Sequence, residues 1–245
     1  MSFWCWAMMN RSHGLGSYSH ERRQENACQK ERGRKIVKTA LFDLDGTLID
    51  SRADLALAVN LTRHDFGLSP RSEEDVIACV GEGVRLLIER AIPEFPDLWD
   101  AMLERQRINY LAHCMDRTTL YPGVIKTLTA LCSEGWLLGV VTNKPGSITR
   151  PILDGLDIAR YFRAVVGGGD CPALKPDPAP LLMAAAQMGV ALDATDWMVG
   201  DNFTDLEAGR RMGLKRCFCR FGFGKLRGER YDLAVDRMDE FLAEM

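Results

Sequence analysis

TALFDLDGTLIDS, Thr39 to Ser51, is the stretch on which the reading of this chain turns. Its first four residues are largely apolar, and they run directly into two aspartates one residue apart, Asp43 and Asp45, followed by a Gly-Thr pair. The apolar run, extended back through Ile36, predicts a buried strand that ends at Asp43. Gly46 permits the tight turn that follows. Either acid alone suits a surface turn, whereas two at the mouth of a buried strand also suit metal-assisted chemistry on a phosphate. The choice depends on what the other strand ends carry.

Strand and helix patterns alternate from Ile36 onward. Pro122–Glu134 predicts a helix with Pro at its start and Gly135 at its end, and Trp136–Val141 predicts a buried strand. Ser147–Leu156 (helix), RAVVGG at 163–168 (strand), Pro178–Met188 (helix), WMVG at 197–200 (strand), Thr204–Met212 (helix) and KRCFC at 215–219 (strand) follow. YDLAVDRMDEFLAEM, 231–245, predicts an edge strand and a closing helix. This alternation is the mark of an α/β fold with a doubly wound parallel sheet.

One block departs from it. Between Arg52 and Arg117 apolar residues recur at helical spacing (Leu55, Val59, Thr62, Phe66; then Val84, Leu87, Ile88, Ala91), a further long helix fits between Asp97 and Met115, and no good strand is present. The expected organisation is therefore a core domain of residues 36–51 and 118–245 and a small all-helical cap domain of residues 52–117 inserted after the first strand. Residues 1–35 form an N-terminal extension, expected to be a solvated tail, with a membrane-surface or partner-binding arm, or an upstream extension from a misassigned start, as alternatives. Its short MSFWCWAMM opening lacks the basic region of a secretory signal.

Composition narrows the class. The chain has 245 residues, 47% of them hydrophobic and 27% charged, and no apolar run long enough for a membrane helix. A net charge of -3 conceals an acidic body, because beyond residue 38 there are 23 basic and 31 acidic residues, and no basic stripe for nucleic acid is evident. Eight scattered cysteines without a CxxC pair argue against zinc and for free thiols in a reducing cytoplasm. Cys217 and Cys219 read as alternating positions of one strand. Oligomeric state is not legible.

In an open parallel sheet, ligands bind beyond the carboxyl ends of the strands, where strand order reverses. The polar residues fall there: Asp43 and Asp45 after the first strand, Thr142, Asn143 and Lys144 after the second, Lys175 beyond the third, Asp201 and Asp205 after WMVG. Asp43, Asp201 and the backbone carbonyl of Asp45 suit Mg2+, a hard cation that takes oxygen ligands and retains water. With the repulsion so offset, the Asp43 carboxylate suits attack on phosphorus to form an aspartyl phosphate. Asp45 suits protonation of the leaving alcohol and deprotonation of the attacking water. Thr142 with neighbouring amides suits the nonbridging oxygens, Lys175 stabilises transferring charge, and Asp205 orients Lys175 or a metal-bound water. Lys144 reads as an exposed loop residue, with phosphate steering as the alternative, and stands outside the catalytic set.

DLDGTL, VVTNK, LKPDP and GDNFTD resemble, in order, the four motifs of the haloacid dehalogenase superfamily of phosphatases, over about Ile36 to Gly224. The resemblance implies Asp43 as nucleophile, Asp45 as acid/base, Thr142 as phosphate ligand, Lys175 as stabilising lysine and Asp201 as metal ligand. The helical insert is similar to the helical caps of that superfamily, and DSRADLALAVN and VGEGVRLLIERA resemble the cap segments of its phosphoglycolate phosphatases. That likeness implies a turn at Gly81-Glu82-Gly83 facing the crevice. Gly83, Arg85 and Glu82 then become candidates, with Asn143, for contact with the substrate. Arg85 fits equally as an i,i+4 partner of Glu89.

The expected activity is Mg2+-dependent hydrolysis of a small phosphorylated metabolite, with 2-phosphoglycolate as first choice. Other expectations remain open: a sugar or amino-sugar phosphate or pyrophosphate as substrate, a phosphosugar mutase, or a non-catalytic phosphate-binding module. A dehalogenase would not need Asp45, and a phosphonate-cleaving enzyme would need a cap amine, yet no lysine lies between Arg52 and Arg117.

Overall fold

The computed structural model describes residues 37–244, so the expectations for residues 1–35 lie outside the described residues. Strand β1 (Thr39–Phe42) is short because Asp43 and Asp45 end its apolar run, and it lies inside a six-stranded sheet. Its neighbours are β4 (Leu137–Pro145) on one side and β6 (Trp197–Gly200) on the other, both parallel to it. β5 (Ala164–Gly168) flanks β4, while β7 (Lys215–Cys219) and β8 (Leu233–Val235) extend the sheet beyond β6, giving the order β5-β4-β1-β6-β7-β8. Chain order thus reverses at β1, and the crevice at its carboxyl end is the switch point of a doubly wound fold.

Side chains of successive strand residues point to opposite faces, so a strand buried on both faces reads as continuously apolar. Ala40 and Phe42 enter one core with Leu138, Val140, Trp197 and Val199, under helices α5 (Val124–Ser133) and α6 (Gly146–Gly155). Leu41 enters the other with Val141, Val166 and Met198, under α7 (Ala179–Met188) and α8 (Phe203–Arg211). Cys217 and Cys219 share the first face, as alternation requires. The chain end closes this face as 3-10 turns over Met238–Glu244, not as an α-helix, with the Phe241 ring edge-on to Trp197 at 5.3 Å. The six described cysteines are free; four are buried, whereas Cys132 is exposed and Cys171 half-buried.

Between β1 and β4 the chain forms four helices, α1 (Arg52–Asp65), α2 (Glu73–Ile77), α3 (Val84–Ala91) and α4 (Trp99–His113). They enclose their own apolar cluster around Val59, Leu87, Ile88 and Met102. Where the insert leaves and rejoins the core, two strands of two residues each, β2 (Ile49–Asp50) and β3 (Thr119–Leu120), pair antiparallel. Sequence pattern does not reveal elements so short. Asp54, fully buried at the base of α1, fixes the return by accepting from the backbone of Arg117 and Thr118 and, at 2.7 Å, from the Thr118 hydroxyl.

β4 runs four residues past the predicted end at Val141, and its register with β5 shifts between Val141 and Pro145. Thr142, Asn143 and Lys144 therefore belong to a bulged strand end held between neighbours, where they are 4%, 7% and 7% exposed. The expectation of an exposed, loop-borne Lys144 is corrected by this geometry.

Candidate active site

Three adjacent strand ends and one loop build the site. The Asp43 amide still donates to Val199 of β6 at 2.9 Å, so its position is set by the sheet. The chain then turns sharply through Leu44–Ile49, with Gly46 at φ 82°, and a Cβ there would fall on the Asp201 carboxylate. Only glycine tolerates both demands.

Asp201, at the end of β6, accepts from the amides of Phe223 (2.9 Å) and Gly224 (2.7 Å) through Oδ2. Burial pushes its carboxyl well above the usual carboxylate range; Asp43 and Asp205 push the same way, and the two amides oppose. Asp205 sits in the first turn of α8, where its carboxylate accepts from the Asn202 amide at 3.0 Å, and Asn202 caps the helix in return. Burial pushes Asp205 up to about 7, against the pull of Lys175.

The Lys175 ammonium is enclosed by this acidic group. Nζ donates to Asp205 Oδ1 at 2.7 Å and to the Val141 carbonyl, and lies 2.9 Å from Asp43 Oδ1. That last approach is Coulombic, since its direction does not make a hydrogen bond and Asp43 Oδ1 is a buried oxygen without a hydrogen-bond donor among the described residues. Burial works against the charge on Lys175, but Asp205 and Asp43 outweigh it and its pKa is raised. The loop carrying Lys175 is pinned by Asn143, whose Oδ1 accepts from the Lys175 amide (2.8 Å) and whose Nδ2 donates to the Lys175 carbonyl (2.9 Å) and to Gly81 of the insert (3.1 Å). Both side-chain amide hydrogens of Asn143 are engaged within the protein, so this side chain brackets the Lys175 loop, while the residue still borders the cavity.

Asp45 faces the same crevice. Its Oδ1 accepts from Ser51 Oγ at 2.5 Å and from Lys144 Nζ at 2.8 Å, and Oδ2 lies 3.0 Å from that ammonium. Lys144 also reaches the Tyr110 hydroxyl of α4 at 2.5 Å, with its ammonium 4.4 Å from the ring centroid. Burial disfavours this charge, yet Asp45 and Tyr110 raise the Lys144 pKa overall. Thr142 Oγ1 accepts from the Lys144 amide at 3.2 Å, and its hydroxyl hydrogen has no acceptor among the described residues.

Above these groups lies a cavity of about 370 Å³, bordered below by Asp43, Asp45, Thr142, Lys144, Lys175 and Asp201 and above by Val80, Gly83, Val84, Leu87, Leu103 and Tyr110 of the insert. Gly83 is thus at the cavity, as expected. Arg85 is not: it pairs outward with Glu89 (3.0 Å) and with Asp100 (2.7 Å) at the rim. Glu82 is likewise engaged elsewhere, by Arg90 (2.8 Å) and Arg227 (2.7 Å). Among the described residues of the insert, the basic side chain that borders the cavity is Arg107, paired with Glu104 at 2.6 Å.

Sequence reasoning missed Tyr110 and Arg107, and it left Lys144 outside the catalytic set as an exposed loop residue. Lys144 was detectable, because TNK continues the strand that begins at Leu137; Tyr110 and Arg107 were not, because nothing local tells which face of α4 meets the core.

The residues present suit a divalent cation. One carboxylate oxygen each of Asp43, Asp201 and Asp205 lies within 4.8 Å of the others, and Asp43 Oδ1 lacks a donor among the described residues. Across the whole crevice four carboxylates face two ammonium groups, an imbalance equal to the charge of one such ion. Hard oxygen donors are what Mg2+ binds.

A parallel α/β core, a helical insert and an acidic crevice at the switch point are the features to be matched, and comparison with known proteins supplies the class. The family model described as haloacid dehalogenase-like hydrolase matches residues 40–219, and the chain belongs to that family. Phosphoglycolate phosphatase of Aquifex aeolicus (strain VF5) is 35% identical over 209 residues, covering 85% of this chain and 97% of the relative. That of Escherichia coli (strain K12) is 36% identical over 220 residues, covering 81% and 86%. A crystal structure described as that of a predicted phosphoglycolate phosphatase from Haemophilus somnus 129pt superposes with a TM-score of 0.80 at 30% identity, covering 86% of this chain and 99% of the other. With such relatives, this family member is a phosphoric monoester hydrolase.

Proposed function

We propose that the chain hydrolyses a small phosphorylated metabolite, 2-phosphoglycolate first among them, through an aspartyl phosphate on Asp43, with Mg2+ as cofactor. The observation that carries this reading is the placement of Asp43: the residue borders the cavity, and its buried Oδ1, without a donor among the described residues, lies 2.9 Å from the Lys175 ammonium. A carboxylate at the cavity whose charge is balanced through its inner oxygen suits the role of nucleophile.

Asp43, Asp201 and the Asp45 carbonyl would hold the ion, with Asp205 behind them. When bound, Mg2+ supplies charge neutralisation between the attacking carboxylate and the phosphoryl group. Thr142 turns its free hydroxyl hydrogen toward a nonbridging oxygen. Lys175, fixed by Asp205 and the Val141 carbonyl, faces the charge that gathers on the phosphoryl oxygens. An Asp43 oxygen forms a bond to phosphorus while the bond to the alcohol oxygen breaks, and Asp45 gives its proton to that oxygen. Water then attacks phosphorus and yields its proton to Asp45; phosphate leaves and Asp43 is restored.

Residues 52–117 act as a cap in this reading. A cavity of about 370 Å³, roofed largely by apolar side chains of the insert, suits a compact substrate, and tighter seating of the insert on substrate would exclude bulk water during transfer. The free cysteines support a reducing, cytoplasmic setting. The test is hydrolysis across a panel that includes 2-phosphoglycolate, sugar and amino-sugar phosphates and pyrophosphate, with Mg2+ and with chelator. Preference for 2-phosphoglycolate and dependence on the metal are expected. Absence of turnover of every member, or equal turnover under chelation, would refute the reading.

A further inference from the structure

Lys144 has no part in the scheme above, yet it is a charged side chain that is 3% exposed and has two partners on different elements. Burying an ammonium is costly unless it is paired and hydrogen-bonded. The pairing here bridges the core strand β4, the turn after β1 and the insert helix α4. We propose that Tyr110 and Lys144 are positioning residues for Asp45, and that through them the seating of the helical insert sets the geometry of the acid/base. The proposal rests on the assignment of Asp45 made above.

The contacts differ between the two oxygens of Asp45. Oδ1 is held twice, by Ser51 Oγ at 2.5 Å and by Lys144 Nζ at 2.8 Å, whereas Oδ2 has only the longer approach to Nζ at 3.0 Å. One oxygen anchors the carboxyl and the other is left for proton exchange with substrate oxygen or water. Neither Ser51 nor Lys144 belongs to the insert, so they alone do not report whether it is seated. Tyr110 does. Its hydroxyl accepts from Lys144 at 2.5 Å and its ring lies against the same ammonium, and the residue is 3% exposed. With α4 withdrawn, the ammonium loses both Tyr110 contacts and is free to move toward solvent, and the anchored oxygen of Asp45 is left with Ser51 alone. Proton transfer is thereby tied to the closed state, in which the insert also shields the cavity.

The alternative is direct binding of the substrate phosphate by Lys144, which also borders the cavity. The two roles separate by leaving group. A misplaced general acid slows loss of an alkoxide, which needs the proton, far more than loss of p-nitrophenolate, which does not; a lost phosphate ligand weakens both alike. The parameter to compare is kcat/KM, because it reports the steps up to phosphorylation of Asp43 and is not limited by the later hydrolysis.

Wild type, Tyr110→Phe, Lys144→Met and Lys144→Arg are measured on 2-phosphoglycolate, or on the best alkyl phosphate of the panel, and on p-nitrophenyl phosphate. Tyr110→Phe retains the ring and the ammonium and keeps the result interpretable if Lys144→Met does not fold. Misplacement of a catalytic group costs up to about 100-fold. The expected losses for the alkyl ester are about 10-fold in Tyr110→Phe and about 100-fold in Lys144→Met, with less than about threefold on the aryl ester and partial recovery in Lys144→Arg. Equal losses on both esters, or no loss in Tyr110→Phe, would overturn the proposal. Wild-type turnover of the alkyl ester in the same experiment separates this failure from failure of the hydrolase reading itself.

Discussion

Replacing Lys175 by Met removes the single cation at the heart of the acidic group while nearly preserving side-chain volume. In the wild type the ammonium is 2.7 Å from Asp205 and 2.9 Å from Asp43, and those two carboxylates lie with Asp201 within 4.8 Å of one another. Without it, three buried carboxylates face one another and the formal imbalance of the crevice rises by one charge. Breaking a buried ion pair by removing one partner costs about 3–5 kcal/mol, which for a domain of this size lowers the melting temperature by about 6–20 °C. Calorimetry in chelator measures it. Two further outcomes tie the loss to charge and not to packing. Saturating Mg2+ should raise the melting temperature of Lys175→Met by more than that of wild type, because the ion meets a larger charge excess. Adding Asp205→Leu should restore most of the stability, short of about 1 kcal/mol from the α8 cap, while leaving the enzyme inactive. Melting of Lys175→Met within 2 °C of wild type, or an equal response of both to Mg2+, would refute the electrostatic account.

Two other predictions concern the insert. Arg107 borders the cavity and Arg85 does not, so Arg107→Ala should raise KM for a carboxylate-bearing substrate about 10-fold with little change for an uncharged one, whereas Arg85→Ala should leave KM unchanged; steady-state kinetics on the substrate panel checks both. The Arg63 guanidinium holds the Glu94 carboxyl below its ordinary value of 4.5, with burial opposing, across an ion pair of 2.8 Å. A depressed folded pKa means stability that is full above that ordinary value and is lost as pH falls through the lower folded one. Urea titrations from pH 7 to pH 3 should therefore show part of the acid destabilisation disappear in Glu94→Gln. An unchanged acid limb would contradict the linkage.

The parallel core was legible because both faces of its strands are buried, which leaves continuous apolar runs such as Leu137–Val141, and because Gly and Pro mark the helix ends. The site residues at strand ends were legible for the same reason: a charged residue directly after such a run lies at the crevice. What escaped depended on contacts distant in sequence. Lys144 looked like loop material because an amine after a strand is usually solvated, and only Tyr110, 34 positions earlier, and Asp45, 99 positions earlier, make its burial tolerable. Arg85 was a candidate for substrate contact only through the resemblance of the Gly81–Gly83 turn, with an i,i+4 pair to Glu89 as the alternative, and α3 turns it toward Glu89 and Asp100. Asn143 lies at the crevice, and the engagement of its side-chain amide by Lys175 and Gly81 depends on partners distant in sequence. β2 and β3 carry two residues each, too few for any periodicity.

The claim on which the account rests is that Asp43 carries the phosphoryl group, and chemical trapping tests it directly. Enzyme mixed with the best substrate of the panel and Mg2+, quenched within the first turnover and reduced with borohydride, should yield homoserine at position 43 on peptide mass spectrometry, and Asp43→Asn should yield none. Rapid turnover without a trapped product at Asp43, or with the product at another carboxylate such as Asp201, would contradict it.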